Sequence, residues 1–207
     1  KCSSSSQGEY GMVAQAVDNK KRLKRQYLRA PLRREILFED EGHIFKAFCA
    51  NLSEGGLLLS LMPHLPKINA LSLMLDLPLF PDFAAMNTER LINLKFEMIE
   101  RKIFRIRGRI VRSFEGKSEV DVIMSTNIGL EFVNLPSDMA QGLRTFVNQY
   151  ARNIIFLLNL FESHRGNKED QATLLRNLCR ILGYGQDNKI SLLRQKILHD
   201  YQSLESL

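Results

Sequence analysis

The sequence predicts a mainly β domain followed by α-helices: a small six-stranded antiparallel β-barrel at residues 35–136 and a helical extension at residues 137–207. In the first region, short apolar or alternating stretches are separated by turn-forming Gly, Pro, Asn and Asp residues, which is typical of antiparallel strands. In the second region, apolar residues recur every three or four positions, the spacing of an amphipathic helix. A closed barrel is favoured because it leaves no exposed sheet edge.

The strands are expected in sequence, with turn signals between them. Six or so strands are expected from the stretches with strand composition, which are Glu35–Glu39, Ile44–Ala50, Leu57–Leu61, Leu71–Leu77, Leu91–Ile99, Ile103–Ser113 and Ile128–Val133. The polar sequence Glu39–Gly42 predicts a hairpin turn between the first two strands. A long connection is expected at Leu79–Thr88, and a polar hairpin loop is expected at Phe114–Thr126.

Three arginines share one face of the strand predicted at Ile103–Ser113. Arg105, Arg107 and Arg109 alternate with small or apolar residues, and successive side chains of a strand point to opposite sides. This basic stripe is either a solvated outer face or a surface for a partner or ligand, and the sequence leaves both interpretations open.

The first predicted helix begins at Ser137, the expected N-cap, and Asp138 next to it is favoured by the helix dipole. Its apolar residues follow alternating steps of four and three, which is the pattern of a heptad seam. The seam residues are Leu143, Val147, Tyr150, Ile154, Leu157 and Phe161. This helix is therefore expected to pack along its length against neighbouring elements.

Two further helices are predicted after a break at Gly166–Asn167. The second covers Gln171–Leu182 and is capped by Gly183–Gly185, and the third begins at Asp187 or Asn188. Short helices need a hydrophobic partner to be stable. The extension is therefore either a cap that folds back on its own barrel or a bundle for homodimerisation or effector docking, and both alternatives stay open.

Positive charge is concentrated in one short segment. The chain has a formal net charge of +6, yet residues 20–34 alone contain eight Lys or Arg residues and no acid. We call residues 20–34 the basic arm. Because the rest of the chain is slightly negative, the pattern favours a discrete anionic ligand or docking surface over a surface spread for nucleic acid. Residues 1–19, which precede the arm and begin with a Ser-rich stretch, are expected to be flexible.

Several other classes of protein are disfavoured. The three cysteines are scattered and odd in number, which argues against a disulfide framework and suits a cytoplasmic protein. The four histidines lack the spacing of metal ligands, so neither a metal site nor a cofactor is expected. No apolar stretch is long enough to predict a membrane span, and no motif for nucleophilic catalysis or nucleoside-triphosphate binding occurs.

Within the basic arm, Arg25 and Arg29 lie four residues apart, and we call this pair the arginine motif. A planar guanidinium binds phosphate through two hydrogen bonds and stacks on flat aromatic surfaces. On a helical turn both side chains would share a face, whereas on an irregular arm they would straddle a ligand. Pro31 disfavours a helix beyond this point.

A second motif, Asn51-x-Ser53-x-x-Gly56, precedes the apolar run Leu57–Leu59, and we call it the Asn–Ser–Gly motif. Asn51 and Ser53 fall on one face of an extended strand, and they offer donors and acceptors to a base edge or a phosphate. Gly55 and Gly56 permit a tight turn and a close approach of backbone to ligand. With the arginine motif, these residues suit a purine-like base that carries a phosphate.

The two motifs, in this order, resemble the signature of the PilZ domain, RxxxR followed by (D/N)xSxxG. The PilZ domain is the bacterial receptor for cyclic di-GMP (c-di-GMP). The strand-like sequence Gly108–Phe114, followed by Ile128–Pro136 and a helix, also agrees with the order in which PilZ barrels close. The resemblance covers about residues 20–150, whereas residues 151–207 lie outside it.

The resemblance implies a non-catalytic c-di-GMP receptor in which ligand binding orders the basic arm against a PilZ-type barrel and changes a surface that a protein partner recognises. The implied ligand-binding residues are Lys24, Arg25, Arg29, Asn51, Ser53, Gly55 and Gly56. The arginine motif would grip the phosphates and stack on the guanines. Asn51 and Ser53 would contact a guanine edge and a phosphate, while Gly56 makes room. The cation Lys24, just before the arginine motif, favours a stacked pair of ligand molecules.

The register of the arginine motif has one alternative, because Arg29-x-x-x-Arg33 also fits the RxxxR pattern. The first register is preferred since Tyr27 and Ala30–Pro31 then occupy the positions that are usual in the family. In that register, Arg33 or Arg34 would add a secondary contact to the ligand.

Two competing functions are weaker. A PilZ-like interaction scaffold that binds protein and no nucleotide usually lacks the motif residues, all of which are present here. A nucleic-acid-binding regulator would use the basic arm and the arginine stripe, but the arm offers only Tyr27 as a stacking surface for bases.

Overall fold

The computed structural model describes residues 26–116, 125–163, 168–185 and 189–205 of the chain. Within these ranges, six antiparallel strands form a closed barrel followed by helices, so the predicted fold class is confirmed. The strands are β1 (Arg29–Asp40), β2 (His43–Ser53), β3 (Gly56–Ser60), β4 (Ala70–Pro78), β5 (Arg101–Gly116) and β6 (Ser125–Val133). Around the barrel they follow the order β1-β2-β3-β6-β5-β4.

Alternating side chains explain why these strands enclose a core. In β4, Leu71, Leu73 and Leu75 are buried, whereas Ser72 between them is exposed. Burying a leucine side chain contributes roughly 1.5–3 kcal/mol, so one face of each strand is committed to the barrel interior. The outer face is left available for ligands, partners and the helices.

The first two strands are longer than the sequence predicts. β1 begins at Arg29 instead of Glu35, so the end of the basic arm belongs to the barrel wall. β2 extends to Ser53, so the Asn–Ser–Gly motif begins inside a strand. The extension of β1 is anchored by Ala30 and Leu32, which turn inward and are buried.

Of the two hairpin connections predicted from the sequence, one is confirmed and the other is shorter than predicted. The turn predicted at Glu39–Gly42 is confirmed at Glu41 and Gly42, where both residues have positive φ. The loop predicted at Phe114–Thr126 is shorter than expected, because β5 continues to Gly116 and β6 begins at Ser125. Residues 117–124 lie outside the described part of the chain.

The strand predicted at Leu91–Ile99 is wrong. This region forms helix α1 (Thr88–Asn93) and a short 3-10 turn at Phe96–Met98. The α1 helix begins after Asn87, whose side chain accepts a hydrogen bond from the backbone N–H of Arg90, as N-cap residues do. Leu91 and Leu94 are buried at a spacing of three residues, a helical rather than a strand period.

The C-terminal part forms three helices: α2 (Ser137–Glu162), α3 (Lys168–Ile181) and α4 (Ile190–Glu205). The N-cap of α2 is Pro136, without a side-chain cap, so Ser137 is the first helical residue rather than the predicted cap. Gly183 ends the α3 region with a φ of +90°, a conformation that favours glycine. The predicted break at Gly166–Asn167 and the predicted start at Asp187 or Asn188 lie outside the described residues.

The helices fold back onto their own barrel. The predicted seam of α2 is buried as far as Leu157, and the ring of Phe146 packs on that of Phe80. The buried Asn153 accepts a hydrogen bond from the Phe83 backbone N–H and donates one to the Pro81 carbonyl. These contacts support the cap interpretation of the extension, and they leave a homodimer contact through the same helices as a prediction.

Candidate functional site

The residues of the Asn–Ser–Gly motif line a cavity on the outer face of the barrel. The cavity has a volume of about 550 Å³ and crosses five adjacent strands, from β1 to β5. Among the predicted ligand residues, it brings together Arg29, Asn51, Ser53, Gly55 and Gly56. Lys24 and Arg25, the other predicted ligand residues, lie outside the described part of the chain.

One row of paired residues forms the floor of this cavity. Strand registers place Pro31, Asn51, Leu58, Gly129 and Arg112 side by side on β1, β2, β3, β6 and β5. Paired residues on one face of a sheet have neighbouring side chains. From Asn51 onward, the row therefore connects a polar side chain with the cation Arg112, across a small apolar surface at Leu58 and Gly129.

Ser53 holds the turn that follows β2. Its hydroxyl accepts a hydrogen bond from the Gly56 N–H at 3.1 Å and donates one to the Gly56 carbonyl at 3.0 Å. The residue is buried, and on β1 its pairing partner is Arg29. A hydroxyl has one donor and two acceptor lone pairs, so one acceptor lone pair remains for a ligand. Ser53 thus has a structural role that the sequence did not predict.

The two glycines of the turn are required by different neighbours. A Cβ atom on Gly56 would lie 2.1 Å from the carbonyl oxygen of Leu130, so only glycine fits between β3 and β6. A Cβ atom on Gly55 would lie 2.7 Å from the ring of Tyr27. Gly55 therefore lets this aromatic side chain lie over the turn, at the edge of the cavity.

The turn is also attached to α2 by an ion pair. Arg144 binds the Glu54 carboxylate through two hydrogen bonds, with distances of 2.9 and 2.5 Å. The hydrogen bond from Arg144 holds the pKa of the Glu54 carboxyl below its ordinary value. Tyr27, Glu54 and Arg144 together line a smaller cavity of about 200 Å³ beside the first. A helix of the extension is thus in contact with the edge of the candidate site.

Arg33 points away from the cavity and into the helical extension. It has a φ of +47° beside an irregularity in the β1–β2 pairing, and its guanidinium binds the buried Asp200 of α4 at 2.8 Å. It also lies over the ring of Tyr184, 5.0 Å from the centroid. The alternative register Arg29-x-x-x-Arg33 would need Arg33 at the ligand, so this geometry favours the arginine motif as first assigned.

The Arg33–Asp200 pair belongs to a buried network. The Tyr184 hydroxyl donates a hydrogen bond of 2.6 Å to Asp200, and the Tyr150 hydroxyl donates one of 3.3 Å to Tyr184. Burial, with the neighbouring Tyr150 and Asp200, raises the pKa of Tyr184, so its phenol stays protonated. The network joins β1, just after Arg29, to α2 and α4.

Arg34 does not reach the candidate cavity either. Its guanidinium lies over the ring of Phe96, 4.6 Å from the centroid. Burial, with the positive charge of Arg101, lowers the pKa of Arg34 from its ordinary value. Both side chains are engaged elsewhere in this arrangement, so the secondary ligand contact predicted for Arg33 or Arg34 stays a prediction that this geometry does not favour.

The arginine stripe of β5 is divided between two surfaces. Arg109 pairs with Glu131 of β6 at 2.7 Å, whereas Arg105 and Arg107 line a separate groove of about 500 Å³ with apolar residues such as Met74. This groove lies on the side of the barrel where β1, β4 and β5 meet. The stripe as a whole does not face the candidate ligand cavity.

Two members of the site, Arg112 and Gly129, are not predicted from the sequence. Both line the cavity or its floor, and Arg112 extends over Gly129. In a regular strand, Arg112 would share a face with the buried side of β5. The pairing shift between Ile110 and Arg112 reverses this orientation, and no signal in the sequence marks that shift.

Metal-binding and nucleophilic groups are sparse in the part of the chain that the structure describes. Within the described ranges, no three His, Cys, Asp or Glu side chains are grouped as metal ligands. Cys49 and Cys179 are buried free thiols, and burial raises the pKa of each to about 12. A thiol with such a pKa is a poor nucleophile near neutral pH. Among the described helices, none is long and apolar enough to cross a membrane.

Several solved structures are similar to this chain. The inhibitor of motility MotI/DgrA of Bacillus subtilis is 14% identical, with a TM-score of 0.43 over 68% of this chain and 53% of that chain. The PilZ domain of Escherichia coli YcgR with c-di-GMP is 14% identical, with a TM-score of 0.41 over 62% of this chain and 92% of that chain. PlzA of Borreliella burgdorferi, in complex with c-di-GMP, is 14% identical, with a TM-score of 0.34 over 67% of this chain and 49% of that chain.

The chain spans about half the length of the MotI/DgrA and PlzA chains that it matches. Comparison with curated proteins gave no match. The sequence profile of the PilZ domain matches residues 23–149, which is more than half of the chain. That range contains both motifs, all six strands and the first part of α2. The chain therefore belongs to the PilZ domain family.

Proposed function

We propose that this protein is a bacterial receptor for c-di-GMP and that it acts by binding, without catalysis. The observation that carries the proposal is the cavity on the outer face of the barrel, which gathers Arg29, Asn51 and Ser53. An arginine supplies charge-assisted hydrogen bonds to phosphate and stacks on a purine. Asn51 supplies a donor and an acceptor for a base edge. The PilZ domain of YcgR and the PlzA protein, both solved with c-di-GMP, are among the structures to which this chain is similar.

The ligand would enter between the basic arm and the floor of the cavity. In this proposal, Arg25 and Lys24 approach the ligand from the arm, while Arg29 is already part of β1. A cation at Lys24 favours two stacked ligand molecules, which the molar ratio of binding will measure. Two negative phosphates per ligand suit the eight cations of the arm.

The bound state would be communicated to the helical extension by two contacts. The Glu54–Arg144 ion pair connects the turn beneath the ligand to α2, and Arg33–Asp200 connects β1 to α4. A ligand that binds one arrangement of the arm more tightly than another shifts the population of that arrangement. The output would then be a changed surface for a protein partner or for a second copy of the chain.

The exposed apolar residues of the helices are candidates for such a surface. Ile155 on α2, and Leu192 and Leu198 on α4, are exposed despite being large and hydrophobic. A homodimer or effector contact through the extension is proposed on this basis. Analytical ultracentrifugation with and without c-di-GMP would measure it directly.

The proposed function is tested by isothermal titration of c-di-GMP into the full chain and into Arg29→Ala and Asn51→Ala variants. Each substitution is expected to weaken binding at least tenfold, because each removes a polar contact with the ligand. Arg107→Ala is the matched control, since this arginine lies on β5 away from the cavity. An intact chain that binds no c-di-GMP would refute the receptor and favour a protein-interaction scaffold.

A further inference from the structure

Arg112 is placed in the candidate cavity by a local irregularity of β5. Ile110 pairs with Leu130, and in a regular ladder Val111 would then pair with Gly129, leaving Arg112 on the inward side. The pairing shifts here, so that Arg112 itself pairs with Gly129. A bulge of this kind re-aims a side chain, and it turns Arg112 onto the outer row that contains Asn51.

The residue beside Arg112 on the cavity floor is Gly129, which has no side chain to obstruct the arginine. A Cβ atom on Gly129 would lie 2.8 Å from Cγ and 2.9 Å from Nε of Arg112. The arginine side chain therefore runs from β5 over the β6 backbone at Gly129. Any larger residue at position 129 would displace it from this path.

The neighbouring negative charge in the cavity is already balanced. Glu131 lines the same cavity, and Arg109 binds its carboxylate at 2.7 Å. A phosphate or a guanine carbonyl would otherwise meet an uncompensated carboxylate at this end of the row. The Arg109–Glu131 pair thus reduces the repulsion that an anionic ligand would experience beside Arg112.

The row is long enough to accommodate a purine nucleotide between Asn51 and Arg112. Neighbouring strands are about 4.8 Å apart, so the backbones of Asn51 and Arg112, three strands apart, are separated by roughly 14 Å. An arginine side chain that lies across Gly129 shortens this gap to a distance that a purine nucleotide can span. Arg29 and Arg112 thus reach the cavity from strands at its opposite ends.

We propose that Arg112 is a ligand-contacting residue of the PilZ site, and that it binds the part of c-di-GMP farthest from Asn51 through a planar guanidinium contact. The contact is either stacking on a guanine or paired hydrogen bonds to its edge, both of which need the guanidinium plane. This inference rests on the proposed function, since it concerns the same cavity.

Titration of c-di-GMP into the Arg112→Ala variant of the whole 207-residue chain tests the inference. We expect affinity to fall at least tenfold, whereas Arg107→Ala, on the same strand, changes it less than twofold. Arg112→Lys is expected to bind as weakly as the alanine variant, because lysine keeps the charge but lacks the plane. Full affinity in the lysine variant would overturn the planar contact.

Gly129→Ala provides an independent test that keeps Arg112 in the chain. Its methyl group would displace the Arg112 side chain, so we expect weaker binding in the single variant. The same substitution made in the Arg112→Ala background should have little further effect, as expected when two residues act through one contact. Independent, additive losses would contradict the inference, and a melting temperature for each variant identifies any loss that is due to unfolding.

The two proposals fail in different ways. If the unaltered chain does not bind c-di-GMP, the proposed function is rejected, and the role of Arg112 is rejected with it. If the unaltered chain binds and Arg112→Ala binds equally well, the receptor function stands and only the role of Arg112 is refuted.

Discussion

Gly56 shows that a residue of a ligand-binding signature can be needed for packing. Its position between β3 and β6 leaves no room for a Cβ atom, because the Leu130 carbonyl would be 2.1 Å away. Ser53, from the same motif, uses its hydroxyl to hold the turn around Gly56. At this scale, two residues that the sequence assigns to ligand contact also have structural roles, one in strand packing and one in holding the turn.

A Gly56→Ala substitution is expected to destabilise the fold by about 2 kcal/mol, since its methyl group would force two backbones apart. Urea denaturation followed by circular dichroism measures the change. Gly55→Ala is the matched control, because its methyl group meets only the Tyr27 ring, a movable side chain. Equal losses of stability in the two variants would contradict this explanation.

Contacts between elements determine how the barrel and the extension are joined. The Glu54–Arg144 pair connects a turn to α2, and Arg33–Asp200 connects β1 to α4. The second pair joins positions 167 residues apart in the chain, which is why no sequence pattern pointed to it. The sequence predicts a secondary ligand contact for Arg33 or Arg34, whereas in the structure Arg33 makes this contact with α4.

Removing the charge of Asp200 is expected to weaken this junction. Asp200→Asn leaves a half-buried Arg33 without its counter-ion and should reduce the free energy of unfolding by about 2 kcal/mol, less than for a fully buried pair. Glu162→Gln, which breaks the exposed pair with Arg194, should cost less than about 0.5 kcal/mol. Similar midpoints of urea denaturation for both variants would argue against a special role for Asp200.

The Glu54–Arg144 pair should make stability depend on pH in a defined direction. The pKa of Glu54 lies below its ordinary value of 4.5 because Arg144 hydrogen-bonds the charged form. A lowered pKa gives stability that is present above the ordinary value and is lost as the pH falls through the folded-state value. Melting temperatures measured from pH 7 to pH 3 test this.

The Arg144→Gln variant should melt below the unaltered chain at pH 7, and the difference should shrink as the pH falls below about 4.5. Arg194→Gln serves as a control on another exposed ion pair, because it keeps the number of charges equal. A difference between the unaltered chain and Arg144→Gln that grows toward acidic pH would have the wrong sign for this interpretation.

At the scale of the whole molecule, regular patterns were readable from the sequence and local irregularities were not. The leucines of β4 alternate over a full strand, so their burial was predictable. Leu91–Ile99 mixes the period of a strand with that of a helix, so the sequence predicts a strand, although the helix capped by Asn87 covers its first residues. Arg112 was missed because a one-residue shift in pairing decides which way it points.

The central claim is that one outer face of the barrel holds the ligand. Backbone amide chemical shifts of the full chain, followed by NMR during addition of c-di-GMP, test it most directly. We expect saturable shifts along the row that contains Asn51, Leu58 and Gly129, and little change at Leu37 and Met74 in the opposite groove. Shifts confined to that groove, or no shifts at saturating ligand, would contradict the claim.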